Sequence, residues 1–451
     1  MGVTAPTDSG SPWYRGITRY QWTVLAIASL GWVFDVFEGQ VFVAFDDRAM
    51  TALLPENTPP AEVRYYNNIA FAAFLVGGAL GGVLFGMISD RIGRKRAMTL
   101  TILVYSLFTA VSALAQAWWQ LTICRFLVAF GTGGEWAVAS ALVAEVFPQK
   151  ARAWSLAIFH ASSILGTYLA ILAGVILAGF PEDGWRWGFA LGAVPSLLIL
   201  WVRTGLREPE RWRQAHAEER EDQRAGRLGD LFTRPYLRRT LVGVALATIG
   251  LATFWGVHIH GKAQLRTAVE ERHFTSAASL GGTAVAAASL DANAAALKRW
   301  EMLGMFLVTT GGGLGLVAFG PLSERLGRRG AFLLFQFGGL AATLVLFQWL
   351  ADVSTILVCL PIFGFLTLGM HAGFAVYFPE LFPTRLRSTG AGFCFNVGRL
   401  AAAPILFISG WLQKERGYTL AEVCTLLGLL FLVGATVVLF APETKGHDLP
   451  H

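Results

Sequence analysis

The chain has 451 residues, 54% of them hydrophobic and 15% charged, with a formal net charge of +6. A soluble domain carries about 25% charged residues, so this composition excludes an ordinary water-soluble fold. Most basic residues fall in short loops between apolar stretches and in one linker, with a further cluster in one insertion, which is lipid topology rather than a nucleic-acid footprint.

Residues 1–20 are polar, and no cleavable apolar core precedes the first long stretch. Met1-Gly2 is followed by Pro6 where a myristoylation signal needs Ser or Thr, so neither a removed leader nor a lipid anchor is expected. Twelve apolar stretches follow, at about 22–45, 66–89, 97–117, 119–143, 152–180, 187–205, 239–260, 300–320, 330–350, 353–378, 388–412 and 419–441. Each is close to the roughly 20 residues needed to cross a bilayer. The fold class expected is all-α, with twelve transmembrane helices. Arg and Lys crowd the loops on the side of the N-terminus, which places both termini in the cytoplasm.

The first stretch holds Asp35, Glu38 and Gln40. Asp35 and Glu38 share one helix face less than a turn apart. Two carboxylates this close in a low dielectric do not both ionise, so one is expected to carry a proton. The second stretch ends in GMISDRIGRKR at 86–96, which returns as GPLSERLGRRG at 320–330. A second pair, Glu145-Val-Phe-Pro148 with Arg152, returns as Glu380-Leu-Phe-Pro383 with Arg387. Two repeats in one frame make the chain a duplication: a half at 1–206, a charged linker at 207–236 and a half at 237–451. The linker is expected to be solvated, or to lie as an amphipathic helix on the membrane surface. An Ala-rich insertion at 261–296 breaks the symmetry and is expected to form a short helical cap.

Charges inside apolar stretches cost roughly 2.5–3.5 kcal/mol each and are kept for use. Arg125 and Glu135 lie in the fourth stretch and Arg399 in the eleventh, where the repeat frame puts Ile164 opposite Arg399 and Leu360 opposite Arg125. What occurs once is expected to be chemistry, and what occurs twice to be gating. Arg399 offers a planar fork to a substrate carboxylate, and Asn396 lies one turn before it. Arg125 is expected to assist that binding or to neutralise Asp35, and Glu135 to line the cavity or form an ion pair. Gln40, Trp255 and Tyr377 complete the expected substrate site. The gating set is Gly86, Asp90, Arg91, Gly93 and Arg94 with Gly320, Glu324, Arg325, Gly327 and Arg328; Asp90 and Glu324 are each expected to meet the positive start of a helix from the other half.

The four cysteines have no metal or redox spacing, and His258 and His260 diverge on a helix, so neither metal nor cofactor is expected. His160 and His371 read as hydrogen-bonded packing residues. No nucleophile with a base and no nucleotide loop is present, so no catalytic residue is assigned.

The loop Gly86-x-x-x-Asp90-Arg91-x-Gly93-Arg94-Lys95 resembles the signature of the major facilitator superfamily. Arg125 with Gly131-x-Gly133-Gly134 is similar to a motif of its proton-coupled members. Asp35-Val-Phe-Glu38 and Gly133-Gly134-Glu135-Trp136 look like the metabolite, sialate and aromatic-acid proton symporters. Pro442-Glu443-Thr444-Lys445-Gly446 resembles the sugar-porter tail, and Arg207-Glu208-Pro209-Glu210-Arg211 only loosely echoes the sugar-porter exit motif. The resemblance implies two pseudo-symmetric six-helix bundles rocking around a central site in a cytoplasmic membrane. It implies proton symport of a small organic anion by a monomer, with a sugar or polyol symporter, an organic-cation or drug carrier and a non-transporting receptor as alternatives.

Overall fold

The computed structural model describes residues 12–450 apart from 178–183, 191–193, 195–196, 219–223 and 279–282. The extreme N-terminus, the end of the fifth expected stretch, part of the sixth and the tip of the insertion therefore lie outside the described residues. Every regular element among the described residues is helical.

In chain order these are α1 (Arg19–Leu53), α2 (Pro60–Ile92), α3 (Arg94–Ser112), α4 (Trp118–Val146), α5 (Gln149–Ala161), α6 (Ser163–Leu177), α7 (Gly184–Ala190), α8 (Leu198–Gly205) and α9 (Glu210–Ala217). Then follow α10 (Arg234–Gly256), α11 (Gly261–Ala278), α12 (Thr283–Leu344), α13 (Val353–Leu368), α14 (His371–Leu381), α15 (Arg387–Ala402), α16 (Pro404–Arg416), α17 (Leu420–Gly428) and α18 (Leu430–Leu439). Among the described residues nine stretches are long and apolar enough to cross a membrane. One of them, Arg299–Trp349, holds two expected spans, bent at Gly327 (φ 82°). α3, which opens on Arg94-Lys95-Arg96 before its apolar run, and the short α7 and α8 occupy the remaining two positions.

Local chemistry sets the helix ends. Thr18 and Gln21 form a reciprocal capping box at the start of α1, and Thr419 with Glu422 does the same at α17. Gly93 and Gly327 turn the chain with φ of 102° and 82°, where a side chain is strained. Each turn is then capped by a distant carboxylate. Glu208 accepts the N–H groups of Arg94 (2.7 Å) and Lys95 (3.2 Å). Glu443 accepts those of Arg328 (2.9 Å) and Arg329 (3.1 Å). Glu208 and Glu443 are a third repeat in the same frame.

Most described linker residues are exposed, and the linker is tied to the loop face at a few points. Glu208 caps α3, Trp212 Nε1 donates to Asp90 O (2.8 Å), and Gly226 N donates to Arg385 O (2.9 Å). Asp230 pairs with Arg385. The backbone ends exposed by the α2–α3 and α14–α15 turns need partners, and the linker supplies them. Its described helical parts are α9, a 3-10 turn at Leu228–Phe232 and the first residues of α10. The insertion forms α11 and the start of α12, with Glu301 holding Lys262 (3.3 Å) and Arg266 (3.5 Å) across α11 and α12.

Two seams join the halves. Gly78, Gly82 and Gly86 form a stripe on α2 that lets α15 approach: a Cβ at Gly86 would lie 2.6 Å from Ser388 O, and one at Gly78 would lie 2.9 Å from Arg399 Nη1. The duplicate seam sets Gly320 of α12 against α5, where a Cβ would lie 3.0 Å from Ala153 O.

Below the first seam, Asp90 accepts the N–H of Ser388 (3.1 Å) and Thr389 (2.8 Å) at the start of α15. Asp90, Arg94, Glu145 and Arg387 form a buried string of alternating charge with ion pairs of 2.7–2.9 Å. Arg91 bonds Ala225 O (3.2 Å). The duplicate does not repeat this in full. Glu324, 30% exposed, pairs with Arg328 (2.8 Å) and, among the described residues, accepts from no helix start. Trp154, the counterpart of Thr389, has no hydroxyl to offer a carboxylate there. Arg328 reaches Glu380 (2.8 Å), but Thr444 Oγ1 (2.5 Å) takes the place at Glu380 that Arg152 would fill by symmetry. The expectation for Glu324 is therefore corrected: its side chain stays with Arg328 instead of crossing the seam.

Candidate functional site

A cavity of about 470 Å³ lies between the halves above the first seam, within the range of small-molecule sites. Its walls include Trp32, Asp35 and Gln40 of α1, Phe71 and Phe74 of α2, His160 at the end of α5, Phe254 and Trp255 of α10, and Phe395 and Arg399 of α15. It runs from Arg399 toward Gln40, Ile259 and Lys262, away from the face that carries the repeated loops. That loop face is closed by the Asp90 contacts described above.

Arg399 is the cavity's deep cation. Its guanidinium lies 5.1 Å from the centre of the Phe395 ring and makes no hydrogen bond or ion pair among the described residues. Asp35, which lines the same cavity, is the carboxylate whose charge bears on it; Asp35 is buried, and its Oδ1 has no partner. An uncommitted guanidinium facing a mostly apolar, aromatic chamber suits an anion with a hydrophobic body.

Glu38 is not part of that wall. It pairs with Arg125, both side chains being 1% exposed, and the guanidinium lies between the Phe42 and Phe74 rings at 4.3 and 4.6 Å. The expectation that Arg125 neutralises Asp35 is corrected: α1 turns Glu38 toward α4 and Asp35 toward the cavity. Arg125 is thus behind the wall, and so is Glu135. Glu135 is fully buried with neither oxygen in a well-formed hydrogen bond, and it neither lines the cavity nor forms an ion pair.

Two more expected site residues lie elsewhere. Asn396 is buried in the α2–α15 seam against Gly82, its Nδ2 donating to Gly392 O (2.9 Å). Tyr377 donates to Pro442 O (2.6 Å) near the loop face, because α14 points it at the tail. Gln40 and Trp255 do line the cavity.

Three histidines join the site beyond their packing role, and their partners fix their tautomers. Trp136 Nε1 donates to His160 Nδ1 (3.1 Å), so a neutral His160 carries its proton on Nε2. Thr367 spends its hydroxyl proton on Phe363 O (2.6 Å), so His258 Nδ1 donates to Thr367 (2.7 Å) and its Nε2 is an acceptor. His371 Nε2 donates to Gly250 O (3.1 Å) and leaves Nδ1 as an acceptor. Polar residues inside apolar stretches were the signal that could have placed all three here. Among the described residues no cluster of His, Cys, Asp and Glu is placed to hold a metal ion.

Helices that span a bilayer, joined in duplicate around a central cavity with one closed face, define a multi-pass membrane transporter rather than an enzyme. The chain belongs to the Major Facilitator Superfamily, whose sequence pattern matches residues 39–403. Its fold is accordingly twelve transmembrane helices in two pseudo-symmetric six-helix bundles. It is 30% identical to a probable 4-methylmuconolactone transporter of Cupriavidus pinatubonensis, over 96% of this chain and 93% of that one. It is 26% identical to the sialic acid transporter NanX of Escherichia coli, over 94% and 96%. Among solved structures, the proton:xylose symporter XylE of E. coli superposes with a TM-score of 0.73 at 17% identity, covering 95% of this chain and 98% of that one.

Proposed function

We propose that this protein imports a small organic anion, a carboxylate metabolite, together with protons across the cytoplasmic membrane, both termini lying inside. The carrying observation is Arg399, an uncommitted guanidinium in an aromatic cavity that Asp35 also lines. The relatives named for a muconolactone and for sialic acid support an organic acid as cargo.

The halves 1–206 and 237–451 rock about the cavity. Asp35 takes a proton from the outer side while the substrate carboxylate occupies Arg399. With both charges answered, the α2–α15 seam parts, the loop face opens, and substrate and proton leave inward. The buried Glu38–Arg125 pair holds α1 against α4 as the half moves. The repeated loops gate: Asp90 releases the start of α15 when the seam opens.

The test is uptake by the full chain in liposomes. A panel of small carboxylates and their uncharged amides is offered with and without an inward proton gradient. Gradient-driven accumulation of carboxylates alone is expected; equal transport of the amides contradicts the reading.

A further inference from the structure

We infer that Glu135 is the second half of the proton site: it and Asp35 form a carboxylate pair that holds one shared proton in the resting state, with Tyr105 as the donor that steadies the pair when it ionises. This deepens the coupling proposed above and rests on it.

The inference starts from three side chains that nothing else in the fold explains. Asp35 Oδ1, both Glu135 oxygens and Tyr105 Oη are all buried without a well-formed hydrogen bond, and Tyr105 and Glu135 face each other as a loose pair. Buried polar groups are nearly always satisfied, so orphans gathered in one place call for a reason. They do gather. A Cβ at Gly31 would collide with Glu135 Oε1 and lie 3.1 Å from Glu135 Cδ. Gly31 is one helical turn before Asp35, on the same face of α1. On α4, Gly131 is one turn before Glu135 and packs against Tyr105, whose backbone N would lie 2.7 Å from a Cβ there. α1, α3 and α4 thus bring Asp35, Tyr105 and Glu135 to one place, with only Asp35 touching the cavity.

The other charged and titratable groups facing this cluster are few. From α1 comes Glu38, already paired with Arg125 of α4. From α15 comes Arg399, whose charge bears on Asp35. From α5 comes His160, whose Nδ1 is taken by Trp136. One cation is therefore available to two carboxylates. Both cannot ionise without leaving a buried negative charge unanswered, whereas a single proton between them lets one carboxyl O–H donate to the other carboxylate. One remaining negative charge then balances Arg399. When a substrate carboxylate takes Arg399, the cluster regains neutrality by binding a second proton. It moves from cavity water to Asp35 Oδ and on to Glu135 Oε, so one proton travels per carboxylate. The two groups titrate as a pair.

The experiment is an infrared pH titration of the substrate-free full chain in liposomes, following the carbonyl stretch of protonated buried carboxyl groups. The wild type is expected to show this band at pH 7 and lose it at alkaline pH. In Glu135→Gln the band at pH 7 is expected to vanish, because a lone Asp35 beside Arg399 gives up its proton. Glu135→Asp keeps a carboxyl but lengthens the gap, and its midpoint is expected to move by about one pH unit or more. A band and midpoint unchanged from wild type in Glu135→Gln, or in Glu135→Asp where the first variant does not fold, overturns the pair. Failure of the pair is distinct from failure of coupling: the former is read without substrate, the latter as gradient-driven uptake surviving in Asp35→Asn.

Discussion

Glu145 Oε1 accepts from Arg94 of its own half at 2.7 Å and from Arg387 of the other half at 2.8 Å, with all three side chains fully buried. A single oxygen thereby joins the halves on the loop face. Its duplicate, Glu380, keeps Arg328 but takes Thr444 in place of Arg152. The two seams are alike in backbone and unlike in charge, so the α2–α15 seam is the one held shut by ion pairs.

Glu145→Gln should open that seam. Removing one member of a buried ion network strands the others and costs about 3–5 kcal/mol. Reagent access to a cysteine placed at Ser388 is expected to rise in the variant, and thermal stability to fall. Adding Arg387→Gln should restore part of the stability, since the stranded cation is then gone. Unchanged access in Glu145→Gln is the outcome that removes the latch role.

The Glu38–Arg125 pair is expected to be structural. Glu38→Gln leaves Arg125 buried between two rings without its counter-charge, a loss on the order of 3 kcal/mol. Asp35→Asn, which breaks no ion pair, should be near neutral in the same thermal unfolding assay. A reversed order of stabilities would mean that Asp35 rather than Glu38 meets Arg125.

Gly78→Ala should act on the anion site from behind. The new methyl would lie 2.9 Å from Arg399 Nη1, and the guanidinium must shift to admit it. The apparent KM for a carboxylate substrate is expected to rise about tenfold, the equivalent of roughly 1.4 kcal/mol. Binding of the same compound to Arg399→Ala should not change further when Gly78→Ala is added.

Glu443 gives the loop face an acid-sensitive cap. Burial raises its pKa, but the N–H groups of Arg328, Lys445, Arg329 and Thr444 outweigh this and hold the carboxyl below its ordinary 4.5. A depressed folded-state value contributes stability above the unfolded value and loses it as pH falls through the folded one. Glu443→Gln should therefore cost about 1 kcal/mol at pH 7, in line with a lost helix cap. Thermal scans should show the gap between wild type and variant closing below about pH 4.5.

The spans and the duplication were legible because hydropathy and a repeated loop need no knowledge of helix rotation. Asp35 and Arg399 were legible because a charge in an apolar stretch is costly wherever it faces. What sequence alone left open was azimuth. Asp35 and Glu38 share a face to within less than a turn, yet that fraction of a turn sends one to the cavity and the other to Arg125. Asn396 and Arg399 are also one turn apart, and the glycine stripe of α2 buries the first while leaving the second at the cavity. Tyr377 was misplaced because its partner, the carbonyl of Pro442, belongs to the tail. Glu208 and Glu443 were within reach: sliding the repeat frame along the linker pairs them.

The central claim is that a proton on Asp35 and an anion on Arg399 move together. The most direct measurement is gradient-driven uptake of a transported carboxylate in liposomes by wild type, Asp35→Asn and Arg399→Lys, alongside exchange across equal pH. The account predicts that Asp35→Asn abolishes accumulation but keeps exchange, and that Arg399→Lys raises KM at least tenfold. Undiminished gradient-driven accumulation by Asp35→Asn would contradict it.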